Sequence, residues 1–372
     1  MSKLKILECF GGIGACSKAL ERLGIDYEIA DYVEIDKYAV KSFNAIHGTN
    51  FEPQDITKWD KDIKVDLIMH GSPCQDFSLA GKQAGGDKDS GTRSSLMYET
   101  IRIVEKLKPK YVIWENVKNL LSKKHRHNFD AYLETMEQLG YTNYYQVLNA
   151  KDYGIPQNRE RVFTVSILDN QTEKDEKISL IVKDFKFPPK QELKLKLKDM
   201  LEDEVDEKYY LSESKIQKIA NWRAYQKPFE KVQGKNSIVP TLTARGAGEE
   251  HSGMITYSEN LEDTTNLQEE CLKVGLFDDT SSNSFAKGKR DYGYKNEYGT
   301  LKCSPKYSIY KNTDLRIRKL TPKEVWRLMG FDDEDFEKAA KVNSNSQLYK
   351  QAGNSIVVNV LEAILNNLLN QK

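Results

Sequence analysis

The first half of the chain alternates short runs of β-branched and aromatic residues with helical repeats, and this alternation narrows the available folds more than any other feature. Leu4 to Phe10 reads as a strand, Gly11 to Gly14 as a tight turn, and Ser17 to Leu23 as a helix. Further strands are predicted at Tyr27 to Asp31, Val65 to Met69, Tyr111 to Trp114 and Val162 to Ile167. Leu96 to Leu107 is predicted helical, with Met97, Ile101, Val104 and Leu107 on one face. Strands alternating with helices imply an α/β fold whose mostly parallel sheet is covered on both sides. Ligands on such sheets sit beyond the carboxyl ends of the strands, where the unusual residues of this chain fall.

Composition excludes several classes. Hydrophobic residues make up 39% and charged residues 30% of the 372, a balance that can bury a core. The 56 basic and 56 acidic side chains cancel, which excludes a uniformly basic nucleic-acid clamp. No apolar run approaches the roughly 18 residues of a membrane span, and no leader pattern opens the chain, so a cytosolic protein with no membrane partner is expected. Cys9, Cys16, Cys74, Cys271 and Cys303 are odd in number and widely spaced, with no C-x-x-C pair. Neither a disulfide framework nor a thiolate zinc site fits them, and no metal site is expected.

From about Phe185 to Asp314 the regular pattern gives way to Lys/Glu-rich, Tyr-rich and Gly-rich segments, which reads as a second domain. Ile356, Val360, Ile364 and Leu368 then repeat every four residues, as in a helix packing back on the first domain, so the second domain reads as an insertion. The expected organisation is a first domain at 1–184 and 345–372, an inserted domain at 185–315, and a junction at 316–344. Zero net charge hides an asymmetry. Ser258 to Thr280 carries seven acids against Lys273, a net −6, and Lys287 to Lys323 carries eleven bases against three acids, a net +8. Tyr292, Tyr294, Tyr298, Tyr307 and Tyr310 are interleaved with those bases, a mixture suited to gripping phosphates and stacking on nucleobases; a solvated loop is the alternative.

Three strand ends carry chemistry. After the first strand, Phe10-Gly11-Gly12-Ile13-Gly14 lets backbone approach a ligand closely, although the third glycine of a dinucleotide fingerprint is Ser17. Glu34, about 20 residues on, stands where an acid accepts hydrogen bonds from a ribose, and Asp55-Ile56 is placed to receive an adenine amino group and ring face. After the Val65 to Met69 strand, Gly71-Ser72-Pro73-Cys74 puts a thiol on a rigid turn, where it needs an activated substrate or a lowered pKa. His70 stands beside that turn, but a Cys–His dyad is not favoured. After Tyr111 to Ile113 comes Glu115, a carboxyl that apolar surroundings would keep protonated. Arg159 and Arg161 share a face of an extended segment.

These motifs together resemble the cytosine-C5 DNA methyltransferase family across nearly the whole chain, in order: Phe10 to Gly14, Pro73-Cys74-Gln75, Glu115-Asn116-Val117, Gln157-x-Arg159-x-Arg161, Arg316 to Phe331, and Gly353-Asn354-Ser355-Ile356. The resemblance implies a Rossmann-like S-adenosylmethionine-dependent sheet with an inserted small target-recognition domain. It casts Cys74 as the nucleophile that adds to carbon 6 of cytosine, Glu115 as the group on ring nitrogen 3, Arg161 as its partner at the cytosine carbonyl, and Arg159 as support for the DNA or the adduct. Phe10, Gly12, Ile13, Gly14, Glu34, Ile35, Asp55, Ile56, Pro73, Asn354 and Ser355 become the cofactor shell, with S-adenosylhomocysteine as product. Ser78 and Gln83 fall in the family's closing loop as DNA contacts. Pro240-Thr241-Leu242-Thr243 and Gly299-Thr300-Leu301 are two copies of the Thr-Leu pair placed near the flipped base, the first being favoured, with Arg245 and Arg290 as base-reading residues. A monomer acting on duplex DNA in a prokaryotic cytoplasm is expected. An RNA-methylating relative, a catalytically silent DNA-binding protein and a nicotinamide dehydrogenase are the alternatives, the last set back by Ser17 and the cysteine turn.

Overall fold

The computed structural model describes residues 3–73, 96–169, 185–212, 232–233, 235–242, 256–258, 276–278, 307–309 and 317–369. Cys74, Ser78, Gln83, Arg245, Arg290 and Thr300 lie outside the described residues. The chain divides into two compact units, one of Met1–Leu195, Thr241–Gly253 and Val325–Lys372, the other of Lys196–Pro240 and Met254–Glu324. Thr241 and Leu242 thus count with the first.

In the first unit, strands β1 (Leu4–Cys9), β2 (Tyr27–Val33), β3 (Leu67–His70), β4 (Tyr111–Val117), β5 (Tyr141–Asn149) and β6 (Glu160–Leu168) form one sheet in the order β2-β1-β3-β4-β6-β5. Adjacent strands from β2 to β4 pair in parallel, whereas β6 is antiparallel to both β4 and β5. Within this sheet β6 therefore runs against its companions, and its amino-terminal end lies beside the carboxyl ends of the others. The β5 strand, which the sequence reading does not mark, is the outer edge. Its run of Tyr, Thr, Asn and Gln is half-buried and lacks a continuous apolar signal.

Helices α1 (Ala15–Arg22), α2 (Lys37–His47), α3 (Met97–Leu107) and α4 (Arg126–Gln138) follow their strands. The face of α3 read from sequence is buried at Met97, Ile101 and Val104, which join Leu7, Val33, Ile68, Val112 and Trp114 of the sheet and Phe129, Tyr132 and Met136 of α4 in one core. Helices α5 (Asp333–Ala340), α6 (Asn345–Asn354) and α7 (Val358–Leu369) complete the unit, α7 packing on α1 and α5 on α2. Asn345–Leu369 is long and apolar enough to cross a membrane, contrary to the sequence expectation, but it is broken at Ser355–Val357. Val358, Val360, Leu361, Ile364, Leu365 and Leu368 of α7 are buried in the fold.

In the second unit Thr256–Ser258 pairs antiparallel with Ile317–Lys319 and parallel with Val232–Gln233, and Leu276–Asp278 pairs with Tyr307–Ile309. Arg318, counted above among eleven bases, is 2% exposed and forms a two-pronged ion pair with Glu324 at 2.8 Å on each prong. Glu324 is one residue beyond the basic stretch, so Arg318 contributes a buried neutral pair and no external charge, which corrects the +8 reckoning.

Candidate active site

The glycine turn is shaped by two different constraints. A Cβ on Gly11 would lie 2.7 Å from the Tyr32 ring, so space demands glycine there; one on Gly14 would run into the His47 ring and lie 2.8 Å from Phe43, and its φ of +82° demands glycine as well. A Cβ on Gly12 would meet nothing within 4 Å, but its φ is +56°, the left-handed region; that side of the turn is open for a ligand to approach the backbone. Phe10, with φ +54°, is held in a conformation uncommon for a residue with a side chain, its N–H donating to Val33 O at 2.7 Å. Tyr32, stacked on Phe43 at 3.8 Å, donates its hydroxyl to Gly12 O at 2.7 Å. Ile13 is buried. Beneath the turn, burial pushes the Glu8 carboxyl up to about 7 against hydrogen bonds from Ser17.

Glu34 lies at the open side of the turn. It accepts from the Gly12 N–H at 3.2 Å and the Asp36 N–H at 2.9 Å, and burial raises its pKa above the ordinary carboxylate range. Next to it Ile35 is 69% exposed, a large apolar side chain with no apolar cover. Asp55 accepts from the Thr57 N–H and hydroxyl, which hold its pKa low. Ile56 is built into the core beside Trp59, Leu7 and Val33, so the exposed apolar face at this edge comes from Ile35. Open space at Gly12, a positive-φ turn, a half-buried carboxylate and an uncovered isoleucine are what a nucleoside with a ribose diol and a flat base requires. Asn354 is exposed at the end of α6, whereas Ser355 is buried with its hydroxyl donating to Ile356 O.

The turn ahead of Cys74 is anchored from β4. Trp114 Nε1 donates to Ser72 Oγ at 3.0 Å and Asn116 Nδ2 to Ser72 O at 3.4 Å, while Pro73 is half-buried. His70 is fully buried against Trp114 and Tyr132, with Nε2 3.2 Å from the Tyr132 hydroxyl, and burial lowers its pKa to about 3. It is a neutral core histidine. Cys9 and Cys16 are buried thiols whose pKa values burial drives upward, as expected of packing residues.

Glu115 and Arg161 meet because β6 is antiparallel. Val117 faces Arg161 and Glu115 faces Phe163 in the β4–β6 register, so Glu115 and Arg161 are diagonal neighbours on one face of the sheet. Arg161 Nε lies 3.0 Å from Glu115 Oε1, and their side chains are 17% and 12% exposed. Burial raises the Glu115 pKa, and the charges of Arg161 and Arg159 oppose the rise without cancelling it.

Arg159 has a different environment. It is 4% exposed, with Nη1 donating to Leu242 O at 2.8 Å and Nη2 to Gly353 O at 3.2 Å and Ser355 O at 2.8 Å. Main-chain carbonyls from two distant segments converge on one guanidinium. Gln157, buried, accepts from the Leu242 N–H at 3.2 Å and donates to Leu328 O at 2.8 Å, and Thr241 donates to Asn158 O at 2.9 Å. Of the two Thr-Leu pairs, Thr241-Leu242 therefore docks on the Gln157–Arg159 segment, whereas Gly299-Thr300-Leu301 lies outside the described residues. The sequence reading gives Ser72 and Trp114 no role in the site, and Gln157 enters it only as the first residue of the Gln157-x-Arg159-x-Arg161 motif.

Residues 4–370 match the model of the C-5 cytosine-specific DNA methylase family. The orphan methyltransferase M.SPBetaI of Bacillus phage SPbeta is 33% identical over 99% of this chain and 98% of its own length. The type II methyltransferase M2.ScrFI of Lactococcus lactis subsp. cremoris is 34% identical over 98% and 99%. Among solved structures, the Entamoeba histolytica methyltransferase EhMeth superposes with a TM-score of 0.68 at 16% identity over 100% of this chain and 99% of its own. The S. pombe Dnmt2 methyltransferase superposes with 0.65 at 20%, over 99% of both chains. The glycine turn, the Glu115–Arg161 pair and the order of motifs thus sit in a chain that belongs to the C-5 cytosine-specific DNA methylases and is a DNA (cytosine-5-)-methyltransferase.

Proposed function

We propose that this enzyme transfers the methyl group of S-adenosylmethionine to carbon 5 of a cytosine flipped out of a specific duplex DNA sequence, with Cys74 as a transient covalent nucleophile. The observation that carries the reading is the Glu115–Arg161 pair: a carboxyl whose pKa is raised by burial, fixed by one guanidinium at the carboxyl ends of the strands. A carboxylic acid there can donate to ring nitrogen 3 and draw electrons from the ring, which makes carbon 6 attackable. The Cys74 thiolate forms a bond to carbon 6, and the electron pair released into the ring makes carbon 5 nucleophilic. When carbon 5 has been substituted and loses its proton, the Cys74–carbon 6 bond breaks and the thiolate is restored.

Bound S-adenosylmethionine supplies an electrophilic sulfonium methyl. Phe10, Gly12, Ile13, Gly14 and Glu34 would hold its nucleoside and ribose side, Ile35, Asp55 and Ile56 its base, and Pro73, Asn354 and Ser355 the remaining wall. Arg159 is a positioning residue, tying Leu242 and the Gly353–Ser355 segment to the sheet. Flipping costs a few kcal/mol of unstacking and unpairing, and DNA contacts are assigned to Ser78, Gln83, Thr241, Leu242, Arg245, Arg290 and Thr300. The domain assignment is catalytic at 1–184 and 345–372 and target-recognising at 185–315, with 316–344 at the junction.

The test is adduct formation with DNA containing 5-fluorocytosine, whose fluorine cannot leave as a proton does. A covalent complex is expected from the unaltered enzyme and none from Cys74→Ser. An undiminished adduct with Cys74→Ser refutes the nucleophile. Single-turnover methylation of matched duplex DNA and transfer RNA checks the substrate, and bisulfite sequencing of methylated plasmid gives the recognition sequence.

A further inference from the structure

Asp31 belongs to none of the motifs and is a buried carboxylate near the end of the outer strand β2. Both its oxygens are used. Oδ1 accepts from Gln54 Nε2 at 3.0 Å, and Oδ2 accepts from Trp59 Nε1 at 2.7 Å and pairs with Lys61 Nζ at 2.7 Å. Gln54 and Trp59 flank Asp55 and Ile56, so one carboxylate holds both ends of the segment that carries them. Gln54 also donates its N–H to Glu34 O at 2.8 Å and its side chain to Tyr32 O at 2.7 Å, which ties the same segment to the residue beside the glycine turn.

Alternation along β2 explains the arrangement. Tyr32 points to one face and supports the glycine turn through Gly12 O, while Asp31 points to the other and supports the Asp55 segment. From α3, Arg102 holds Ile56 O at 3.0 Å and Lys106 holds Asp60 at 2.6 Å, so the segment is fastened to α3 as well; Asp31, together with the Gln54 side chain on Tyr32 O, fixes it to β2. Burial raises the Asp31 pKa, but Lys61, Trp59 and Gln54 outweigh it and hold the group below the ordinary range, so it stays charged. A buried charge with several donors is costly to remove because the donors are left unpaired.

We propose that Asp31 is a positioning residue of the cofactor site, setting the segment of Asp55 and Ile56 against Glu34 and Ile35 so that base and ribose are gripped together. This rests on the cofactor reading above and adds to it a residue outside the glycine turn. Asp31→Asn places an amide N–H among donors and loosens the segment without touching the ligand.

The experiment is calorimetric titration of the full chain with S-adenosylhomocysteine, which needs no turnover, beside steady-state methylation. For Asp31→Asn, Kd for S-adenosylhomocysteine and KM for S-adenosylmethionine are expected to rise about tenfold or more, with kcat at saturating cofactor within about twofold. Trp59→Phe keeps a ring in the core and removes one donor, and is expected to raise Kd about threefold with the fold intact. Affinity within twofold of the unaltered protein in both variants, with Tm lowered, would show that Asp31 is only a core ion pair and would overturn the proposal. An unaltered chain that binds no S-adenosylhomocysteine would refute the cofactor reading itself.

Discussion

Replacing Arg159 by lysine separates a guanidinium that holds main chain from one that acts on substrate. Its two arms diverge: Nη1 reaches Leu242 O, and Nη2 reaches Gly353 O and Ser355 O. A lysine keeps the charge but gathers its donors on one nitrogen, so it can serve one arm and not both. Each hydrogen bond from a charged donor is worth about 1.5–3 kcal/mol, and a buried carbonyl left unpaired adds to the loss. With one arm lost, Arg159→Lys should destabilise the catalytic unit by about 3 kcal/mol, lowering Tm by roughly 6–12 °C for a unit of this size. Scanning calorimetry measures the shift. Because Asn354 and Ser355 belong to the same segment, KM for S-adenosylmethionine should rise as well. A variant within about 0.5 kcal/mol of the unaltered protein that nonetheless transfers no methyl would refute this reasoning and return Arg159 to the reacting groups.

Arg161 lowers the Glu115 pKa that burial has raised, so Arg161→Met should raise it further. The loss of single-turnover rate on the alkaline side, where Glu115 gives up its proton, should then move to higher pH, and an unmoved limb would separate that limb from Glu115. Glu8, at about 7 in the folded chain against 4.5 unperturbed, binds more protons folded than unfolded between those values. Stability should therefore fall as pH rises from about 4.5 to 7 and level off above, and Glu8→Gln, followed by urea denaturation at each pH, should flatten that slope.

How much of this was legible in sequence depended on how local the cause was. The glycine turn, the Gly71 to Pro73 turn and Glu115 each stand at the end of an apolar run, so strand periodicity alone placed them on one edge of a sheet. Spacing alone makes Arg159 and Arg161 look alike, and only the family resemblance gives them separate roles, Arg161 beside Glu115 and Arg159 at the DNA or the adduct. One finds Glu115 through a strand pairing, and the other finds carbonyls nearly two hundred residues away. Ile35 and Ile56 looked alike as apolar residues following an acid, and only the packing of Trp59 and Leu7 turns Ile56 inward. Asp31 carried no signal, because its three partners follow it in a loop without periodicity. The basic stretch was overcounted because a net charge cannot tell that Arg318 is paired inside the fold.

The reversed direction of β6 makes the active-site charge a matter of register. Side chains alternate faces along a strand, so a slip of one residue between β4 and β6 would carry Arg161 to the opposite face and leave Glu115 without its cation. An added residue between Arg161 and Phe163 should therefore silence the enzyme while sparing its cofactor turn. The chemistry of this edge is fixed less by which residues are present than by the count of residues between them.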